Sequence, residues 1–164
     1  MMTPPTYTHQ QIATNLQFLL YSSLRAHAPG LAVYQTGGVN IGPAVEHYDP
    51  EPDVLVVDAG LSEELDRHYA DRFYLAAEVV SASDRTFVES KREVYKLHEA
   101  CTCILTIWQD RQEVRVDLRA DGGWQEHVLT KPDDELVLAD FGLRCKVSDV
   151  YDATPLQPRS VKPR

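Results

Sequence analysis

Apolar residues recur at helical spacing near the start of the chain and predict a first helix. Thr8 and Gln11 have the spacing of a capping box, which marks the beginning of a helix. The positions that share one face of this helix are Ile12, Leu16, Leu19, Leu20, Ser23 and Leu24. Pro29-Gly30 interrupts the pattern, so the helix is expected to end before residue 29.

Apolar segments without alternation predict strands that are covered on both faces of a sheet. Such segments lie at 53–58, 72–80 and 101–108. The segment 113–118 instead alternates apolar and polar residues, which predicts a strand with one face in water.

Turn residues predict two hairpins. Gly37-Gly38 is expected to join short strands at 31–36 and 38–42, and Asp121-Gly122-Gly123 to join 113–118 to a partner strand at 124–130. The remaining predicted elements are a short helix near 62–69, a helix over 85–99, strands at 135–138 and 142–146, and a helical turn within 147–152.

The order of these elements predicts the α/β class, with a mixed sheet flanked by helices. The length of 164 residues fits one domain with a sizeable core. We expect that domain to span residues 8–152. The polar, proline-rich segment 153–164 is expected to form a flexible tail.

The helix predicted over 85–99 has a lysine within its apolar face. Lys91 lies in the middle of this face, which consists of Phe87, Val94 and His98 and is flanked by Val88 and Tyr95. An unpaired ammonium group facing a sheet is disfavoured. Lys91 therefore either extends past the edge of the face to water, pairs with a buried acid, or belongs to a functional site. The opposite face, expected to be solvated, consists of Glu89, Arg92, Glu93 and Lys96.

Two carboxylates accompany the buried strands. Asp53 opens one strand, and Glu78 lies near the end of the next. A buried carboxylate is costly unless it is paired or bound to a cation. Two such acids with Lys91 in reach form the kind of group that hydrolyses phosphodiesters with a metal ion: the acids hold Mg²⁺, and the lysine neutralises charge or orients a water molecule.

Charge and composition narrow the choice of functions. The net charge of −9 argues against a broad nucleic-acid-binding surface, although acidic metal ligands contribute to that count. No apolar run approaches the roughly 18 residues of a membrane helix, and no signal segment is evident, so a cytoplasmic location is expected. The cysteines at 101, 103 and 145 are interpreted as small apolar residues in a reducing compartment.

These residues, in this order, resemble the Uma-two family of restriction-endonuclease-like proteins, which have the PD-(D/E)XK fold. The matching segments are 52–57 for the family's PD strand, 78–83 for its Glu-Val-Leu-Ser-Pro-Ser segment, 91–95 for its Lys-x-x-x-Tyr helix, His9 in the first helix, and 141–143 with 150–151 at the C-terminal end. The resemblance covers about residues 8 to 152.

The resemblance implies a metal-dependent DNA endonuclease. Asp53 and Glu78 would be the metal ligands for Mg²⁺ or Mn²⁺, and Lys91 the catalytic lysine. The simple motif would place the lysine at position 80, where this chain has valine. Candidates for a further ligand are Glu46, Glu51 and a backbone carbonyl near Val79. We also expect a homodimer, formed through the hairpin 113–130, because cutting both strands needs two sites.

Other interpretations remain open. The chain could be a non-catalytic module that binds nucleic acid or protein, or a structural homodimer in which the polar cluster is a buried ion pair. His9 could contact the site, but a partly buried histidine at a helix end is the favoured interpretation. Ser81 and Ser83 are expected to cap the following helix together with Asp84. His47 and Tyr48 could line the mouth of a site.

Overall fold

A six-stranded mixed sheet lies at the centre of the computed structural model, which describes residues 3–42, 45, 48–60, 68–161 and 163. In spatial order the strands are β1 (Leu31–Gln35), β3 (Val54–Asp58), β5 (Leu75–Val80), β6 (Cys103–Trp108), β7 (Val114–Ala120) and β8 (Gly123–Leu129). β5 and β6 run parallel, and all other neighbouring pairs are antiparallel.

Helices and two short two-stranded sheets surround this sheet. They are α1 (Tyr7–His27), the parallel pair β2 (Gly38–Val39) and β4 (Tyr69–Ala70), α2 (Arg85–Lys96), the antiparallel pair β9 (Glu135–Leu138) and β10 (Leu143–Lys146), and α3 (Val147–Val150). The predicted α/β class with a mixed sheet is confirmed. Within the described ranges, no helix is long and apolar enough to cross a membrane.

Different elements bury the two faces of the sheet. Side chains of one face, such as Val54 and Val56, share a core with the apolar face of α1 and with β9, β10 and α3. Side chains of the other face, such as Leu55 and Val57, pack instead with Tyr95 of α2. Because residues alternate between faces along a strand, this arrangement explains why the central strands are apolar on both faces, with Asp58, Glu78 and Thr106 as the exceptions.

The first helix begins earlier than predicted. Its N-cap is Thr6, whose Oγ1 accepts a hydrogen bond of 3.1 Å from the amide of His9. The capping box predicted from Thr8 and Gln11 is therefore wrong, because Thr6 satisfies the free amide at the helix start. The predicted apolar face is confirmed in its buried positions Ile12, Leu16, Leu20 and Leu24.

The hairpin predicted around Gly37-Gly38 is also wrong. β1 pairs antiparallel with β3 over five residues, and β2 pairs parallel with β4. β3 offers β1 an apolar partner of equal length, which the two-residue β2 cannot. Most of the helix predicted near 62–69 lies outside the described residues, because residues 61–67 are not described. Tyr69, at its predicted end, belongs to β4.

The face that helix α2 buries differs from the predicted one at Phe87 and Arg92. Val88, Arg92 and Tyr95 are buried, whereas Phe87 is 74 % exposed. Arg92 was expected on the solvated face, but its Nε and Nη2 donate hydrogen bonds of 2.8 and 2.7 Å to the two carboxylate oxygens of Asp117 on β7. This bidentate pair neutralises both groups, so a guanidinium can lie against the sheet.

The segment after residue 152 makes specific contacts near its start. Thr154 is buried, and its Oγ1 donates a 2.7 Å hydrogen bond to the carbonyl of Tyr151. Arg159 pairs with Asp152. The proposed domain boundary between residues 152 and 153 stays a prediction.

Candidate active site

The pairing of β3 with β5 brings the two predicted acids together. The antiparallel register places Val54 opposite Ala77, so Asp53 and Glu78 come next along the same ladder. The amide of Val79 donates a 2.8 Å hydrogen bond to Oδ2 of Asp53. The expectation that the two strands are adjacent and that their acids converge is thus confirmed.

Glu78 receives two hydrogen bonds on one oxygen. Nζ of Lys91 and the hydroxyl of Tyr95 donate to its Oε1 at 3.2 and 2.6 Å. Lys91 and Tyr95 are four residues apart on α2 and therefore project from the same side of the helix. The prediction that Lys91 faces the sheet and reaches Glu78 is confirmed.

His9 is the second partner of Asp53. Its Nε2 lies 3.2 Å from Oδ2 of Asp53, while its Nδ1 is buried without a hydrogen-bond partner among the described groups. The favoured interpretation of His9 as a helix-end histidine is wrong in one respect, since it also contacts the site. The start of α1 at Tyr7 puts His9 in the first helical turn, within reach of Asp53.

Burial raises the pKa of Glu78 to about 7, from an ordinary value of 4.5. The negative charge of Asp53 also raises this pKa, while the charge of Lys91 and the hydrogen bonds from Tyr95 and Lys91 oppose the rise. A carboxylate with these properties is stabilised by any additional cation nearby.

The two basic groups of the site have raised pKa values. For Lys91, burial lowers the pKa, but the charge of Glu78 and its hydrogen bond more than offset that effect. For His9, the hydrogen bond to Asp53 raises the pKa against the effect of burial. The neighbouring acids thus favour the cationic form of both groups.

An open cavity of about 330 Å³ gives access to these side chains. Its lining consists of His9, Asp53, Glu78, Val79, Val80, Asp84, Phe87, Val88 and Lys91. The structure therefore places all three sequence-predicted site residues in one cavity, together with His9.

Three residues around the site were not assigned to it from the sequence. Tyr95 was noted beside the apolar face of the helix and within the Lys-x-x-x-Tyr segment, and its four-residue distance from Lys91 was the available signal. Phe87 was predicted to face the sheet, but it lines the cavity. Asp84 also lines the cavity, and its Oδ2 accepts hydrogen bonds from the amide and hydroxyl of Ser81, which lower its pKa.

The structure supports neither of the two acidic candidates for a further metal ligand. Glu51 is exposed and is not part of the cavity lining. Glu46 lies outside the described residues, as does His47. Among the residues that the structure does describe, no group of three or more histidine, cysteine or acidic side chains could hold a metal ion.

The two carboxylates nevertheless fit a magnesium-like ion. The described hydrogen bonds engage Oδ2 of Asp53 and Oε1 of Glu78, and no described residue donates one to Oδ1 of Asp53 or Oε2 of Glu78. Mg²⁺ commonly binds proteins through one or two carboxylates and keeps several water ligands. The donor set therefore suits Mg²⁺ or Mn²⁺ in chemistry and number.

The raised pKa of Glu78 makes a testable contribution to stability. The folded protein holds the proton of the Glu78 carboxyl up to about pH 7, whereas the unfolded chain releases it near pH 4.5. The stabilisation that this proton provides is therefore fully present below pH 4.5 and is lost as pH rises to about 7. In EDTA, the free energy of unfolding of Glu78→Gln minus that of the wild type should therefore increase across this window, by up to about 3 kcal/mol.

The measurement is urea unfolding at a series of pH values. Glu93→Gln, on the solvated side of α2, is the matched control and should follow the wild-type profile. A Glu78→Gln profile parallel to that of the wild type would show that Glu78 titrates alike in the folded and unfolded states.

Comparisons with known proteins identify the family and a similar fold. Residues 1–148 match the model of the Uma2 family, which is described as "Putative restriction endonuclease". The fold is similar to a crystal structure from Anabaena variabilis, described as "a putative nuclease belonging to DUF820". The TM-score is 0.70 at 14 % sequence identity, over 92 % of this chain and 84 % of that one. No curated protein matches the chain.

Proposed function

Because the chain belongs to the Uma2 family, we propose that it is a metal-dependent DNA endonuclease that hydrolyses phosphodiester bonds. The nuclease-like fold supports this proposal. The observation that carries it is the convergence of Asp53, Glu78 and Lys91 in one open cavity.

The proposed cofactor is Mg²⁺ or Mn²⁺, held by Asp53 and Glu78. Restriction-endonuclease-like families generally use divalent metals. Such an ion supplies Lewis-acid polarisation of the phosphodiester and of the attacking water. The raised pKa of Glu78 supports a cation at this place, because a bound cation removes the cost of holding the buried carboxylate in its charged form.

The protein's own groups prepare the site for the substrate. Lys91 and Tyr95 both donate to Oε1 of Glu78 and so fix the orientation of its carboxylate. The amide of Val79 and His9 do the same for Asp53. We propose that Lys91, which is partly exposed in the cavity, also neutralises charge on the phosphate or orients the attacking water.

Cleavage assays with purified protein test the proposal. DNA should be cut in the presence of Mg²⁺ or Mn²⁺, and excess EDTA should abolish the cutting. Both single-stranded and duplex DNA should be offered. If neither substrate is cut with either metal, the endonuclease proposal is wrong.

One observation favours a second candidate function, a non-catalytic module that binds nucleic acid or protein. In the part of the chain that the structure describes, no group of three or more histidine, cysteine or acidic side chains could hold a metal ion at this site. Such a module would bind DNA in EDTA, with an affinity that falls as salt rises. The cleavage assay separates it from the endonuclease.

We further propose a homodimer formed through the hairpin of β7 and β8, in a reducing cytoplasmic compartment. β8 is an edge strand with mostly exposed residues, and unpaired strand edges favour association. The three cysteines are free and buried, which suits a reducing compartment. A solution mass equal to one chain at high protein concentration would contradict the dimer.

A further inference from the structure

The candidate site has an apolar half beside its charged half. His9, Asp53, Glu78, Asp84 and Lys91 supply the polar lining of the cavity. The rest of the lining is apolar and consists of Val79, Val80, Phe87 and Val88. A site built only for the phosphate of a nucleic acid has no need of an apolar wall.

Phe87 is the exposed part of that wall. Its side chain is 74 % exposed, whereas Val80 and Val88 are buried and pack with Trp108. Folding therefore buries little of the Phe87 side chain, and its ring is available to a ligand. Single exposed apolar residues are common on protein surfaces, but this one lies at the mouth of the cavity that holds the acids.

The position of Phe87 relative to Lys91 matches the layout of a nucleotide. The two residues are four positions apart on α2, so their Cβ atoms are separated by about one helical turn, or 5–6 Å. A nucleotide whose phosphate lies near Lys91 and Glu78 can thus place its planar base against Phe87. Aromatic side chains bind nucleobases by stacking, with little dependence on sequence.

We propose that Phe87 stacks on an unpaired nucleobase next to the scissile phosphate, and that the site therefore prefers single-stranded DNA. This inference rests on the proposed endonuclease function and specifies its substrate. In duplex DNA the faces of the bases are covered by their neighbours, so a base must be turned out of the helix before it can meet Phe87.

The charge of the protein supports the same preference. The net charge is −9. Among the described side chains that line the cavity, the basic ones are His9 and Lys91, and the acidic ones are Asp53, Glu78 and Asp84. Duplex binding depends strongly on neutralising many phosphates. Stacking supplies affinity without that requirement, so an acidic protein can hold a single strand by one phosphate and one base.

Three DNA substrates of one sequence test the proposal: a single strand, the same strand in a duplex, and the same strand with abasic sites around the cleavage position. The wild type should cleave the intact single strand with the highest kcat/KM. Phe87→Ala should lower that kcat/KM about tenfold, mainly through KM, and Phe87→Trp should restore it. On the abasic strand, Phe87→Ala and the wild type should be equal, because no base is present to stack.

Phe18→Ala is the matched control. Phe18 is also an exposed phenylalanine on a helix, at 68 %, but it lies on α1 and is not part of this cavity lining. Its replacement should leave all three rates unchanged. If Phe18→Ala and Phe87→Ala lower kcat/KM equally, exposed apolar surface in general holds the strand, and stacking at the site does not.

Binding in EDTA separates this inference from the proposed function. A fluorescein-labelled oligothymidylate should bind Phe87→Ala about tenfold more weakly than the wild type, whether or not either protein cleaves DNA. If the wild type cuts single strands and duplexes equally and Phe87→Ala matches it, the stacking proposal is wrong and the endonuclease stands. If nothing is cut but Phe87→Ala weakens binding, the endonuclease proposal is wrong and the stacking site stands.

Discussion

Replacing Asp53 by asparagine is expected to reduce metal-dependent DNA cleavage by at least about 10³-fold, since loss of a ligand forfeits several kcal/mol of transition-state stabilisation. The amide keeps the size of the carboxylate and an oxygen that can accept from the amide of Val79. It lacks the negative charge that a divalent cation requires. Binding of Mn²⁺, measured by calorimetry, should weaken in parallel with activity.

Asp58→Asn is the matched control for this change. Asp58 lies at the other end of the same strand, where its carboxylate accepts a 2.8 Å hydrogen bond from the hydroxyl of Tyr74. The control should retain wild-type cleavage and Mn²⁺ binding. An Asp53→Asn variant that still cleaves DNA at the wild-type rate would remove Asp53 from the proposed site.

Replacing Lys91 by methionine is expected to reduce cleavage by about 10²–10³-fold, the usual loss when one charged stabilising group is removed from an active site. Mn²⁺ binding should persist, because both carboxylates remain. The contrast with Asp53→Asn distinguishes the lysine from the ligands. Lys96→Met, at the end of the same helix and paired with the exposed Glu93, is the control and should retain activity.

The stability of Lys91→Met should depend on pH. The positive charge of Lys91 lowers the pKa of Glu78, so the pKa of Glu78 should rise from its wild-type value of about 7 when the lysine is removed. At pH 7 and below, the carboxyl can take up a proton, and the free energy of unfolding in EDTA should change by no more than about 1 kcal/mol. Above pH 7 the destabilisation should grow, because the unfolded chain then binds fewer protons than the folded one. Full activity in Lys91→Met would show that the lysine is structural.

The sequence predicted the central strands because their apolar segments are long enough to be unambiguous. It failed where pairing depends on distant residues. The glycine pair at 37–38 suggested a local hairpin, but β1 pairs with β3 and β2 with β4, and neither partner is marked in the local sequence. The exact start of α1 was missed because both Thr6 and Thr8 are acceptable caps, and packing selects between them.

The site was predictable as far as its residues interrupt an apolar pattern. Asp53, Glu78 and Lys91 each do so, and the structure brings them together. Arg92 could not be recognised in the same way, since it lies among other charged residues and only its tertiary pairing with Asp117 makes it buried. Phe87 was predicted to face the sheet because it is apolar, but its side chain lines the cavity and is largely exposed.

The most direct test of the account is anomalous diffraction from a crystal of this protein soaked in Mn²⁺. We expect one manganese peak within coordination distance of both the Asp53 and Glu78 carboxylates, and we expect that peak to be lost in Asp53→Asn. A map with manganese elsewhere, or with none at these two carboxylates at saturating Mn²⁺, would contradict the proposed metal site and with it the hydrolytic mechanism.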